Sequence, residues 1–531
     1  MKKRLFRGKK RIVLPSEKNV SVGEKRMKID AKLDENIKNT DAELCVQKNF
    51  DVVSRLFSIC GRRACVYYID GYVDDGTGSK FFETLQNIDD EKKLENATVF
   101  SRACIPFGDL VSRSDLSDAC VDVLSGRTLL FVDGFDIGFC VDFRKYPQRS
   151  VGEPDKEKVM RGSKDSFVES LTMNAALLRR RIRSRDLHIE YFNIGRVSKT
   201  DVAVCYLDDR VNKKHLDTLK KKIRSIKTDA LTMNQQSLAD LLMKRTWLDP
   251  FPKFRYTERV DTASAQIMEG DIIVMVDNAP SVMMMPVTLF DVMEEANDYY
   301  FPPLTGTYLR LVRYVVTLFT TFMTPLWLLC LSYPESVPET LRFILLDKPP
   351  NIPVIVQLII LEIAVDGLKL ASLNTPSMMT TSMSMIGGII VGDFAVKSGW
   401  FNAECMLYMA VVALANFSLP STEMSYALKF IRIICLLTTY FFGLWGFVGG
   451  IVFRRVQPLR LRLHFPLSSY PVQRKTPAEK VFQVKTSFGQ RINSPIWVKY
   501  TRVMRKKTVF DFIRAPFFLR LFYCFFCIFM I

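Results

Sequence analysis

A chain of 531 residues is long enough for two or three units with cores of their own. Its 24% charged residues, net charge of +18 and mean hydropathy of +0.08 look soluble, but charge fills the first 300 residues and apolar runs crowd 311–453. Scattered cysteines (Cys60, Cys65, Cys104, Cys120, Cys140 and Cys205 in apolar settings) exclude a disulfide framework and suit a reducing compartment, and three distant histidines exclude a His-based metal site.

The opening MKKRLFRGKKR has no apolar stretch behind it and does not read as a secretory signal. Residues 1–45 are expected to form a disordered basic tail, either merely solubilising or attracted to anionic lipid. From 46 strand and helix alternate. CVYYIDGYVDD (65–75) reads as strand then turn, 109–124 as helix, and TLLFVDGFDIGFCVDF (128–143) as a hairpin about an Asp-Gly turn. A first α/β subdomain is predicted over 46–146.

The polar connector 146–167 leads into SFVESLTMNAALLRRRIR, where Phe167, Leu171, Leu178 and Ile182 recur at helical spacing. LHIEYFNIG and DVAVCYLDD read as strands, HLDTLKKKIRSI and SLADLLMKR as helices, and GDIIVMVDNAP as a strand. They make a second α/β subdomain over 147–300. Four strands end in Asp70, Asp133, Asp208 and Asp277; Asp-Gly and Asp-Asn are good turn residues, and no spacing gathers the four around a metal. The arginines of 179–185 read as a solvated face, as ion pairs to EPDKE (153–157), or as a subunit contact.

Tyr314–Tyr333 is twenty residues without charge, enough for a hydrocarbon core of roughly 30 Å. Arg310 and Arg313 flank its start and place the preceding unit on the cytoplasmic side. Further spans are predicted at Met378–Val396, Cys405–Leu419 and Ile433–Phe453. Between the first two, 354–371 is an apolar helix with Glu362, Asp366 and Lys369 on one face. Such a stripe suits a bilayer-surface helix, a helix lining water, or an ion pair locking two helices. Asp393 and Lys397 repeat the i, i+4 arrangement, and Gly388 and Gly392 let another backbone approach beside Asp393. Glu362, Asp366, Asp393 and Lys397 are therefore the candidate pore-lining residues, since acidic rings select cations.

No phosphate-binding loop, G-x-S-x-G elbow or paired metal-ligand spacing accompanies these runs, so neither an enzyme nor a cofactor is expected. No helix-turn-helix, zinc-finger or RNA-binding signature gives the positive charge a nucleic-acid partner.

The stretch GRTLLFVDGFDIGFCVDFRKYPQRSVGEPDKEKVMRGSKDSFVESLTMNAALLRRRIR resembles the signature of the GerA family of spore germination proteins. Its P-x-R-S-x-x-E-P, R-G, F-x-E and N-x-x-L elements and arginine run fall on Pro147, Arg149, Ser150, Glu153, Pro154, Arg161, Gly162, Phe167, Glu169, Asn174, Leu177 and Arg179, Arg180 and Arg181. The resemblance continues through WLDPFPKFRYTERVD, EGDIIVMVDNAP and MIGGIIVGDFAVKSG, covering about 50–453. Two branches lie near, the A subunits of nutrient receptors and a sporulation-stage branch; TPLWLLCLSYPESVPETLRFI, LNTP (373–376) and LPSTEMSYALKFIRI look more like the second.

The resemblance implies a two-subdomain α/β N-terminal region followed by an all-α polytopic membrane domain (308–453) in the inner spore membrane, with the N-terminal region on the cytoplasmic, spore-core side. It implies a homo-oligomer, working beside other germination membrane proteins and membrane lipid, that releases ions from the spore core or amplifies their release. The alternatives are a receptor A subunit relaying a signal without conducting, and a membrane scaffold. Arg149, Glu153, Arg161 and Arg179–Arg181 are the candidate connector and assembly residues. The tail 454–531, with its Cys524-x-x-Cys527, departs from the family. A one-nucleotide shift over Leu467–Arg474 permits Y-P-L-I-P-F-N, so a frameshift is predicted near 450–466.

Overall fold

The computed structural model describes residues 27–88, 90–105, 109–146, 162–243, 249–374 and 395–463. The first subdomain comprises α1 (Leu33–Glu43), β1 (Val52–Ile59), β2 (Arg62–Ile69), α2 (Asp75–Gln86), α3 (Ala97–Cys104), β3 (Asp109–Arg113), α4 (Leu116–Leu124), β4 (Thr128–Val132) and β5 (Gly138–Asp142). Its five strands are antiparallel in the order β1-β2-β4-β5-β3. Successive strand residues face opposite sides. On β4, Leu129 and Phe131 therefore join the core under α1 and α4, while Leu130 and Val132 join the core under α2 and α3.

The second subdomain repeats this plan. It runs through α5 (Leu171–Arg181), β6 (Leu187–Ile194), β7 (Thr200–Leu207), α6 (Lys213–Ser225), α7 (Asn234–Leu242), β8 (Arg255–Thr257), α8 (Val260–Met268), β9 (Ile272–Val276) and β10 (Val282–Met285). The order β6-β7-β9-β10-β8 is the same permutation. The likeness reaches single hydrogen bonds. Asn36 donates to Asp30 O (2.6 Å) and accepts from Asp30 N (2.8 Å), and Asn174 does the same with Val168 (2.5 and 2.8 Å). Leu33 N donates to Asp133 Oδ1 and Leu171 N to Asp277 Oδ1, both at 3.1 Å. Asp133 and Asp277 thus serve the first turns of α1 and α5. Asp70 accepts from Gly71 N and Asp208 pairs with Lys213, so all four strand-ending aspartates are engaged locally.

Two expectations change here. Residues 27–45 belong to the fold: Lys28 bridges Asp115, and α1 buries Leu33, Asn36 and Thr40, so only 1–26 of the expected tail lies outside the described residues. The expected helix at 109–124 is strand β3 followed by α4, because Asp115 caps α4 by accepting from Ser117 N.

The linking helices α9 (Leu289–Met293) and α10 (Asn297–Tyr300) lead to a helical unit of α11 (Pro303–Ser332), α12 (Val354–Asn374), a helical turn Ala395–Lys397, α13 (Ala403–Phe417) and α14 (Thr422–Leu463). Leu328 and Leu331 of α11 meet Val354 and Ile355 of α12 and Tyr440 of α14 around an apolar cavity of about 440 Å³. The chain therefore turns there, and α12 runs back along α11. Helix α13 runs parallel to α12, with Gln357 Oε1 accepting from Asn402 N at one end and Lys369 over Phe417 at the other.

Helix α14 is a hairpin. Gly443 has φ 54° and ψ −131°, outside helical space. A Cβ on Gly446 would collide with Thr438 O, and one on Gly450 would fall 3.4 Å from Cys435 Cα. At 1.5 Å per residue a straight helix would hold positions 435 and 450 about 22 Å apart. The chain reverses at Gly443, beside Tyr333, and the second arm packs Phe447 on Phe322 of α11.

By length and composition, Pro303–Ser332 and Thr422–Gly450 could each cross a membrane, and Ala403–Phe417 is a shorter apolar helix. The expected span Tyr314–Tyr333 lies almost entirely in α11 and Cys405–Leu419 overlaps α13. Met378–Val396 lies outside the described residues except for its last two. The expected span Ile433–Phe453 is divided by the reversal.

Candidate functional site

Three clusters of buried charge lie where two pieces of the fold meet. One lies in the helical unit. Arg432 on α14 forks onto both carboxylate oxygens of Glu362 on α12 (2.5 and 2.9 Å), and its third nitrogen donates to Thr320 O of α11 at 2.6 Å. One guanidinium thus ties three helices. Lys429, one turn earlier, donates to Glu362 O at 3.2 Å and pairs with the Asp366 carboxylate. Arg432 is fully buried and Glu362 is 3% exposed, whereas the Asp366 side chain keeps 27% of its surface. Leu358 and Leu361 of α12 are buried beside them, while Ile363 and Leu370 on its other face are exposed.

Charges taken from water at this depth cost several kcal/mol each, and only close opposite charges with further hydrogen bonds offset that cost. Two acids meet two bases here, so the cluster is neutral. Lys369, the third residue of the sequence stripe, points away over Phe417 and Tyr426 at 5.2 and 5.5 Å. Lys397 is exposed, in the turn before Gly399, whose carbonyl accepts from Asn351. Asp393 lies outside the described residues. The structure therefore joins Glu362 and Asp366, and adds Lys429 and Arg432, which the sequence reading missed. Their i, i+3 placement in an apolar helix, matching the i, i+4 acids of α12, was the available signal.

A second cluster joins the α/β region to α11. Arg313 grips the buried Asp298 with two 2.6 Å bonds, reaches Glu295 at 2.8 Å and donates to Met293 O. Arg310 lies over the Tyr299 ring at 4.5 Å. Arg255 of β8 donates to Glu294 O, with the Glu294 carboxylate 3.8 Å away. Burial raises the Glu294 pKa above the ordinary carboxylate range, against the opposing pull of Arg255 and Arg310. Arg310 and Arg313, expected as charges flanking the span, are buried and paired with Asp298 of α10.

The third cluster joins the two subdomains. Arg179 of α5 is fully buried, bonded to both oxygens of Asp51 (2.8 and 3.0 Å), to Asn49 and to Leu187 O. It does not lie on a solvated face or an assembly surface, because α5 is wedged between the subdomains: Tyr72 of the first donates to Ala176 O. Arg180 is exposed and lies over Tyr146, and Arg181 pairs with Asp165 at 2.7 Å. Arg149, Glu153 and Arg161 lie outside the described residues, as does EPDKE.

A family model described as Bacillus/Clostridium GerA spore germination protein matches residues 41–464. Stage V sporulation protein AF of Bacillus subtilis (strain 168) is 34% identical over 403 residues, covering 76% of this chain and 82% of that protein. The protein named uncharacterized membrane protein YfkQ, from the same organism, is 28% identical, covering 80% of this chain and 83% of its own length. The crystal structure of the N-terminal domain of the A subunit of the Bacillus megaterium spore germinant receptor GerK3 aligns over 50% of this chain and 99% of that domain. Its TM-score is 0.40 and its identity 24%.

Proposed function

Since the chain belongs to the GerA family of spore germination proteins, we propose that it is a non-catalytic membrane subunit that conducts ions out of the spore core during germination. The observation that carries the reading is the ionic cluster of Glu362, Asp366, Lys429 and Arg432 inside helices that are otherwise apolar. Ionisable groups at such depth line pathways or pair with one another, and this cluster divides accordingly. Glu362 is enclosed by Arg432 and locks helices. Asp366 is the partly exposed acid, and Lys429 is the cation that neutralises it. In an oligomer, Asp366 of each copy, with Asp393, would supply the acidic ring that selects cations.

The helical unit lies in the inner spore membrane with the α/β region on the core side, beside other germination membrane proteins. Asp366→Asn and Asp393→Asn should each slow cation release several-fold from spores with matched protein levels. Wild-type release from both removes the conducting reading. The second reading, a subunit that relays a signal without conducting, is supported by the buried joint of Arg313 with Asp298. It predicts wild-type release from Asp366→Asn but loss of the germination response from Asp298→Asn.

A further inference from the structure

We propose that the outer side of the helical unit is a belt in contact with lipid hydrocarbon, spread over all four long helices, so that α12 and α13 cross the bilayer together with α11 and α14. Neither reads as a span alone: α12 carries Glu362, Asp366 and Lys369, and α13 is only 15 residues long. The proposal rests on the reading of the helical unit as membrane-embedded, but not on conduction.

The sorting of charge carries it. A helix on a soluble core turns its apolar stripe inward and its charged face to water. Here the order is reversed. Over Val354–Ala371 of α12, all of α13, Tyr308–Leu331 of α11 and Tyr426–Gly450 of α14, every exposed residue is apolar, aromatic or glycine. Every ionisable residue on the same stretches is buried or half-buried. Val356, Ile360 and Ile363 are exposed on α12, and Leu407, Val411 and Leu414 on α13. Both sets have the i, i+4, i+7 spacing of a single helix face. Ionisable groups within membrane helices face the bundle interior, and lipid takes the opposite face.

The belt has two rims. At the end far from the α/β region, the exposed rings of Tyr440 and Trp445 flank the reversal, and Tyr440 lines the cavity at the start of α12. Trp400, also exposed, precedes Asn402, which is tied to Gln357 near that start. At the α/β end, Lys369 lies over Phe417 and Tyr426, where α13 stops and α14 begins. Tyr and Trp gather at membrane–water interfaces, and lysines near helix ends reach for the headgroups. Gln357 and Lys369 thus tie α12 to both ends of α13, and the two helices cross together. With 21 residues α12 is about 31 Å long, matching the hydrocarbon core. Helix α13, about 22 Å, is short, which a bilayer accommodates by thinning locally. Glu362 and Thr320 fall near the middles of α12 and α11, so their contact with Arg432 lies near mid-depth.

Two experiments on the full chain in sealed vesicles test this. In the first, an impermeant maleimide reads the side of cysteines placed at exposed positions, with adducts located by peptide mass. Val197→Cys marks the α/β side and Glu335→Cys the far side. Ser398→Cys, before α13, should label with Glu335→Cys, and Ser418→Cys, after it, with Val197→Cys. Labelling of positions 398 and 418 from one side overturns the proposal, whatever ion release shows. In the second, a diazirine confined to the lipid phase is photolysed with the unaltered chain, and adducts are expected on Ile363, Leu407 and Leu414. Their absence from all three overturns lipid contact and means that a second copy or another protein covers the stripes. A chain that washes off the vesicles removes the membrane reading as well. The expected sides and adducts, with parental ion release from Asp366→Asn and Asp393→Asn, would leave the belt standing and remove only conduction.

Discussion

Arg179 and Arg63 show how burial, not distance, decides what an ion pair is worth. Arg63 sits 2.6 Å from Asp34, but both side chains are more than half exposed, and water and salt leave such a pair contributing little. Arg179 is 2.8 Å from Asp51 with both side chains wholly enclosed. Arg179→Met leaves Asp51 charged and buried without its partner, and should cost about 3–5 kcal/mol. The Arg179→Met, Asp51→Leu pair should cost much less, and thermal unfolding of the detergent-solubilised chain reads both. Glu294 has the opposite sign. Its folded-state pKa lies above its unfolded value, so its favourable contribution is complete below the unfolded value, near 4.5, and is lost as pH rises through the folded one. Glu294→Gln should therefore gain stability relative to the parent as pH rises above about 4.5. A difference that does not change with pH would place a solvated carboxylate at 294.

Among the elements, local signals were legible and the relation between the halves was not. The β4–β5 hairpin announces itself, because Asp-Gly separates two apolar runs and supplies the left-handed turn at Gly134. The duplication leaves only faint traces: LDEN at 33–36 beside LTMN at 171–174, and VDG beside VDN. These mark the shared Asn and Asp hydrogen bonds, whereas the core positions, free to exchange one apolar residue for another, keep no common spelling. The short edge strand β8 escaped because a three-residue strand has no period to read. Matched roles predict matched costs. Asn36→Ala and Asn174→Ala each remove two hydrogen bonds from a partly buried turn, and should each lose about 1–3 kcal/mol by thermal unfolding. A large loss from one alone would separate the two turns. The reversal at Gly443 was hidden for another reason: membrane helices tolerate glycine, so an apolar run with four glycines between 443 and 450 still reads as one span. Gly446→Ala drives a methyl group into Thr438 O and should lower the melting temperature. An unchanged melting temperature would mean that the arms can part.

Across the whole molecule, three buried ion pairs mark seams: subdomain to subdomain at Arg179, α/β region to α11 at Arg313, and helix to helix at Arg432. Helix α11 takes part in the last two, through Arg313 near its start and the Thr320 carbonyl farther along. A displacement of the α/β region that tilts α11 must therefore strain the Thr320–Arg432–Glu362 contact. Sequence showed the acids of that contact but not their partners, because pairing between helices depends on a register that only the folded chain sets. A double-mutant cycle separates locking from conduction. Arg432→Met alone leaves buried Glu362 with only Lys429, 3.9 Å away, and should cost about 3–5 kcal/mol, as should Glu362→Leu, which strands Arg432. Combining them replaces the pair by apolar side chains and should recover most of the loss, giving a coupling energy of a few kcal/mol. If Glu362 serves only to hold helices, spores carrying the double variant release cations at the parental rate once protein levels are matched. If release stays low although stability has returned, Glu362 itself faces the ions, and the division of labour between Glu362 and Asp366 proposed above is wrong.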